Sequence, residues 1–99
     1  MKNVVILCNG EFPRKPYPLY LLESADAVVC CDGAAVKYVR KFGERLPEAV
    51  IGDMDSLPNS WREKLAPIVV HVEEQDYNDL TKAIRYVLEH HPEQQKNRP

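Results

Sequence analysis

Four short runs of nearly continuous apolar, β-favouring residues limit what this chain can fold into: Val4-Val5-Ile6-Leu7-Cys8, Ala27-Val28-Val29-Cys30-Cys31, Ala49-Val50-Ile51 and Ile68-Val69-Val70. A strand with one wet face alternates apolar and polar residues. A run without that alternation belongs to a strand covered on both faces, the habit of parallel sheets. Between the runs the spacing changes to that of a helix. Ala35, Tyr38, Val39 and Phe42 recur at i, i+3, i+4 and i+7, and Leu80, Ala83, Ile84, Val87 and Leu88 do the same over a longer span. Weaker helical patterns run from near Pro18 to Ser24 and from Pro58 or Asn59 to Leu65, the second with Trp61 and Leu65 one turn apart.

The order is therefore βαβαβαβα, with connections long enough for right-handed crossovers. It predicts an open three-layer α/β/α sheet of about four mainly parallel strands, Rossmann-like in its layering. With 99 residues, 44% of them hydrophobic, the chain has material for one core. Residues 1–91 are expected to form a single α/β domain and residues 92–99 a polar C-terminal tail. Glu11 to Pro18 holds three prolines and is expected to be a non-helical loop.

Composition excludes several classes of function. The net charge is −2 and the basic residues are scattered, so neither a nucleic acid nor an anionic membrane surface is an expected partner. No apolar stretch approaches the ~20 residues that cross a bilayer, and Met1-Lys2-Asn3 leads into a strand rather than a signal peptide. The expected address is the cytoplasm. Cys8, Cys30 and Cys31 are an odd count inside apolar runs, expected as reduced, buried thiols, and the adjacent pair points to opposite sheet faces, which denies them a common metal.

In open α/β sheets ligands bind beyond the carboxyl ends of the strands, and here those ends are acidic. Strand one runs into Asn9-Gly10, strand two into Asp32-Gly33-Ala34, strand three into Gly52-Asp53-Met54-Asp55-Ser56, and strand four leads to Gln75-Asp76-Tyr77-Asn78-Asp79. Each acid alone has an ordinary reading: Asp53 and Asp55 in an acidic turn, Asp32, Asp76 or Asn78 as helix caps, Asp79 in a first helical turn. Their joint placement at one edge asks for a compensating cation. Asp53 and Asp55, two residues apart in extended chain beside a glycine, offer the hard oxygen donors that suit magnesium. Gly33 permits a sharp strand-to-helix turn whose amides suit a phosphate oxygen. Arg14 and Lys15, in the loop after strand one on the same sheet edge, either reach a phosphate or are solvated. Lys82, one turn after Asp79, either pairs with that acid or neutralises phosphate. His71, His90 and His91 are read as structural, since nothing near them in sequence forms a ligand set.

No Gly-x-x-x-x-Gly-Lys-Ser/Thr loop, Gly-x-Gly-x-x-Gly turn or serine elbow is present. What is present, in order, is Asp32-Gly33-Ala34, then Pro47-Glu48-Ala49-Val50-Ile51-Gly52-Asp53-Met54-Asp55-Ser56, then Gln75-Asp76-Tyr77-Asn78-Asp79-Leu80-Thr81-Lys82-Ala83. Over nearly its whole length the chain resembles the N-terminal, nucleotide-binding part of the thiamine pyrophosphokinases (thiamine diphosphokinases). That resemblance implies a magnesium-dependent transfer of pyrophosphate from ATP to thiamine, giving thiamine diphosphate and AMP, in an enzyme that is a homodimer. It implies that Asp32, Asp53 and Asp55 hold magnesium and the phosphates. Gln75, Asp76, Asp79 and Lys82 would line the nucleotide and phosphate side, with Ser56 in the central motif and Asn9 and Gly10 at the first loop. Asp53, Asp55, Asp79 and Lys82 are the expected catalytic residues.

The family's usual Asp-Gly-Gly-Ala-Asn is Asp32-Gly33-Ala34-Ala35-Val36 here, and Asn78 replaces a more usual threonine. A later Gly-Gly-Arg-x-Asp-His type motif and a C-terminal β-sandwich, both expected of the family, are not in these residues. This chain alone is accordingly expected to turn over weakly. Two other readings fit a small parallel α/β sheet: a receiver-like signalling module phosphorylated on Asp53, and a nucleotide-binding fragment that has lost catalysis.

Overall fold

The computed structural model describes residues 3–8, 12–43, 45–52, 57–70 and 79–92. Its elements follow the expected order: β1 (Val4–Leu7), α1 (Pro16–Ser24), β2 (Ala27–Cys31), α2 (Ala34–Phe42), β3 (Ala49–Ile51), α3 (Asn59–Leu65), β4 (Val69–Val70) and α4 (Asp79–His90). The strands form one parallel sheet in the order β1-β2-β3-β4. Cys31 is in register with Ile51, and Ile51 with Val70, so three neighbouring strands end level.

The unbroken apolar runs are explained by what covers each face. Val28, Cys30 and Val50 point into a core shared with Leu22 of α1, Ala34, Ala35, Tyr38 and Val39 of α2, and Leu65 of α3. Their strand neighbours Val29, Cys31 and Ile51 point the other way, against Ala83 and Val87 of α4. Strands that advance in one direction through right-handed crossovers place their three connecting helices on one face, which leaves the opposite face to the helix after β4. Val29, Cys30 and Ile51 have no exposed surface, and full burial of a valine or isoleucine contributes about 1.5–3 kcal/mol.

Three sequence expectations are corrected. The proline-rich loop ends earlier than expected, because α1 begins at Pro16 with proline in its first turn. The amides that Pro16 and Pro18 lack are ones a helix start leaves without an intrahelical acceptor. Ile68 belongs to a 3-10 turn with Ala66 and Pro67, so β4 is only two residues long. Cys8 lies just past β1 and is exposed, whereas Cys30 and Cys31 are buried; all three are free thiols. Burial pushes the Cys30 thiol up to about 12, with the charge of Cys31 adding to the rise. Among the described residues no helix is long and apolar enough to cross a membrane.

Candidate functional site at the carboxyl edge

The level exits of β2 and β3 carry two of the three positive-φ residues among the described residues. Asp32 follows Cys31 and donates its amide to the Ile51 carbonyl at 2.8 Å, extending the ladder one residue beyond the strand. It then turns with φ of 46°, the left-handed conformation that aspartate tolerates better than most residues. Its carbonyl accepts the Ala35 amide at 3.2 Å, so the chain enters α2 within one turn. The N-cap position is held by Gly33, at φ −63° and ψ −10°. The sharp turn expected of Gly33 is therefore made by Asp32, and Asp32 stands one residue before the position at which it would cap the helix.

Across the sheet, Gly52 follows Ile51 with φ of 133°. The Asp32 carboxylate lies against it: a Cβ built on Gly52 would come within 2.7 Å of Asp32 Cγ and closer still to Oδ1. This contact joins the acid at the end of strand two to the glycine that opens the Gly52-Asp53-Met54-Asp55-Ser56 motif.

Lys82 approaches from the other layer. The C-terminus of α4 is fixed at the amino end of the sheet, where His91 Nε2 contacts both Glu48 oxygens at 3.0 and 2.9 Å. Ala83 and Val87 pack on the face carrying Cys31 and Ile51. The first turn of α4, with Asp79 and the half-buried Lys82, is thus directed toward the carboxyl edge that holds Asp32. Of the residues singled out by sequence, the structure places Asp32 and Gly33 at the β2 exit and Lys82 in the first turn of α4, the helix that packs on the Cys31 and Ile51 face. Asn9, Gly10, Asp53, Asp55, Ser56, Gln75 and Asp76 lie outside the described residues, and Asp79 is described by its place in α4 alone. Among the described residues no three His, Cys, Asp or Glu side chains form a metal cluster.

The altered Ala34-Ala35-Val36 stretch has a packing explanation. Ala34, Ala35 and Val36 are 1%, 0% and 8% exposed and lie in the core beneath α2. An asparagine at Val36 would bring a polar amide into that apolar layer. Arg14 and Lys15 are exposed and line a surface cavity of about 330 Å3 with Phe12, Pro13 and Pro18. The Phe12 ring lies 6.4 Å from Phe42, the last residue of α2, which draws this loop toward the end of the helix opposite Asp32. Gly52, which by sequence lets another group come close to the acids, is where the Asp32 carboxylate lies; that the group comes from strand two has no local signal.

Comparison with known proteins gives the fold and the family. No curated protein matches the chain. Solved structures that share its fold include thiamin pyrophosphokinase from Candida albicans and yeast thiamin pyrophosphokinase, each at a TM-score of 0.71 and 24% identity over 90% of this chain. The chain spans 32% of the length of each. The family model described as thiamin pyrophosphokinase, catalytic domain, matches residues 19–97, from α1 through the acid-bearing strand exits and α4. The chain belongs to the thiamin pyrophosphokinase catalytic-domain family.

Proposed function

We propose that this chain is the nucleotide-binding part of a thiamine diphosphokinase, which moves the pyrophosphoryl group of ATP to the hydroxyl of thiamine and releases AMP. The observation that carries the reading is the Asp32 carboxylate lodged against Gly52, at the point where the sequence passes into Asp53-Met54-Asp55. The family match over residues 19–97 supports it.

The residues fit a magnesium ion. Asp32 offers a hard oxygen donor at the level strand edge, and the cradle left by Gly52 admits it there. Asp32, Asp53 and Asp55 would hold the ion, which when bound supplies neutralisation and orientation of the phosphate oxygens. The chain's own share is positioning. Asp32 is held by its amide on the Ile51 carbonyl, and its backbone turn starts α2 beside it. Lys82 comes from the α4 layer with a positive charge for the transferring group, and Asp79 starts the same helix. Gln75, Asp76, Ser56, Asn9 and Gly10 complete the nucleotide side of the proposal. Transfer of this kind depends on in-line placement and charge balance more than on covalent chemistry by the protein. A homodimer in the cytoplasm is the proposed setting.

Calorimetric titration of ATP into the purified chain, in magnesium and in EDTA, tests the proposal. Magnesium-dependent binding is expected, with slow AMP release when thiamine is added. A folded chain that binds no ATP under either condition overturns it.

A further inference from the structure

Two uncommon backbone conformations face each other across the β2–β3 exit, Asp32 at φ 46° and Gly52 at φ 133°. The ladder does not require this pairing of residues. The Asp32 amide donates to the Ile51 carbonyl, a backbone contact indifferent to what stands at position 52. The side-chain geometry is not indifferent. The volume that a Cβ would take at position 52 is filled by the Asp32 carboxylate, with Oδ1, Cγ and Oδ2 as the three nearest atoms and Oδ2 at 3.4 Å.

We propose that Gly52 is a positioning residue for Asp32: its missing side chain is the seat that holds the carboxylate over the β2–β3 exit, in reach of a divalent cation that arrives with a nucleoside triphosphate. The ligand in this statement rests on the function proposed above; the seat rests on geometry alone. An enlarged residue 52 would displace the Asp32 carboxylate, which belongs to the neighbouring strand. It would do so without touching the hydrogen bonds that hold the strands together.

Glycine at 52 has a second reason to be glycine, since φ of 133° strains any L side chain whatever its surroundings. The two causes separate in a double-mutant cycle. Backbone strain persists whichever residue stands at 32, whereas the collision needs the Asp32 carboxylate. Gly52→Ala, Asp32→Ala and the double variant are compared with the wild type by thermal melting. The same four proteins are titrated with ATP in magnesium chloride and in EDTA. Gly52→Ala is expected to lower Tm by about 8 °C in the wild-type background and by half of that or less in Asp32→Ala, since groups in contact are non-additive. It is also expected to weaken magnesium-dependent ATP binding about 10- to 100-fold, the range found when a group that orients a metal ligand is lost, with binding in EDTA unchanged within about twofold.

Equal Tm losses in both backgrounds overturn the seat. So does magnesium-dependent affinity that survives Gly52→Ala. Should Gly52→Ala fail to fold, the double variant decides: a folded double variant supports the seat, and an unfolded one assigns the glycine to backbone strain and overturns it. Should the wild type bind ATP without regard to magnesium, the proposed function fails while the coupling of the Tm losses still decides the seat.

Discussion

At the amino end of the sheet the Glu48 carboxylate accepts from His91 Nε2 through both oxygens. Nearby, Asn3 donates its amide to Asp26 Oδ2 at 2.7 Å, and Arg45 donates to the carbonyls of Glu23 and Ala25 at 2.8 and 2.9 Å. Each of these contacts ties one element to another: α4 to the entry of β3, β1 to the entry of β2, the start of β3 to the end of α1. At the carboxyl end, 16 residues earlier in sequence than Glu48, Asp32 is carried on a left-handed turn and set against a glycine. Both ends place a carboxylate beside a strand terminus, but one ties two elements together and the other is seated on a left-handed turn against a glycine of the neighbouring strand. Under the proposed function, the backbone that presents each acid is what separates their roles.

The comparison breaks first at Asp32. Asp32→Asn keeps the shape and removes the charge, so magnesium-dependent ATP binding should fall about 100-fold, roughly 2.7 kcal/mol, while Tm moves by no more than about 2 °C. A large stability loss without a binding loss would put Asp32 in the same class as Glu48.

At the other edge the order should reverse. His91→Ala removes a 7% exposed imidazole from Glu48 and should cost about 2 kcal/mol in denaturant melts, less than for a fully buried pair because Glu48 remains partly in water. ATP binding should be unchanged within about twofold. Weakened nucleotide binding by this variant would show the two edges to be coupled through α4.

Alkaline pH probes the core between the edges. Burial raises Cys30 to about 12 from an ordinary 9.0, and burial first of all raises Tyr38 and Tyr86 as well. An acid whose folded value is raised gives up its proton more readily in the unfolded chain. Stability is therefore full below about pH 9 and falls as pH climbs from 9 toward 12. Denaturant midpoints that stay level from pH 8 to 11 would contradict this. Arg45→Ala should have the smallest effect, about 1 kcal/mol, for two carbonyl contacts and the approach to the Phe42 ring at 5.8 Å.

The strands β2 and β3 were legible to the residue, because their apolar runs are bounded by Asp26 and Asp32 and by Glu48 and Gly52. Helix α4 was legible because five apolar positions repeat on one face. The start of α1 was not, since prolines read as breakers are also first-turn residues. Asp32 could be named from its place after a buried run. That its backbone makes the turn, and that Gly52 receives its carboxylate, depends on two strands lying side by side. The Glu48–His91 pair joins residues 43 apart and likewise has no local signal. The acids that continue from Gly52 remain a reading of the sequence.

The most direct test resolves the two edges in one experiment. Amide signals of the 15N-labelled chain are followed as manganese, a paramagnetic stand-in for magnesium, is added in substoichiometric amounts with ATP. Broadening is expected at Asp32, Gly33 and Gly52 and at the start of α4, with Asp26, Glu48 and His91 left sharp. Broadening centred on Glu48 and His91, or none at either edge, would contradict the assignment of the β2–β3 exit as the metal–nucleotide site.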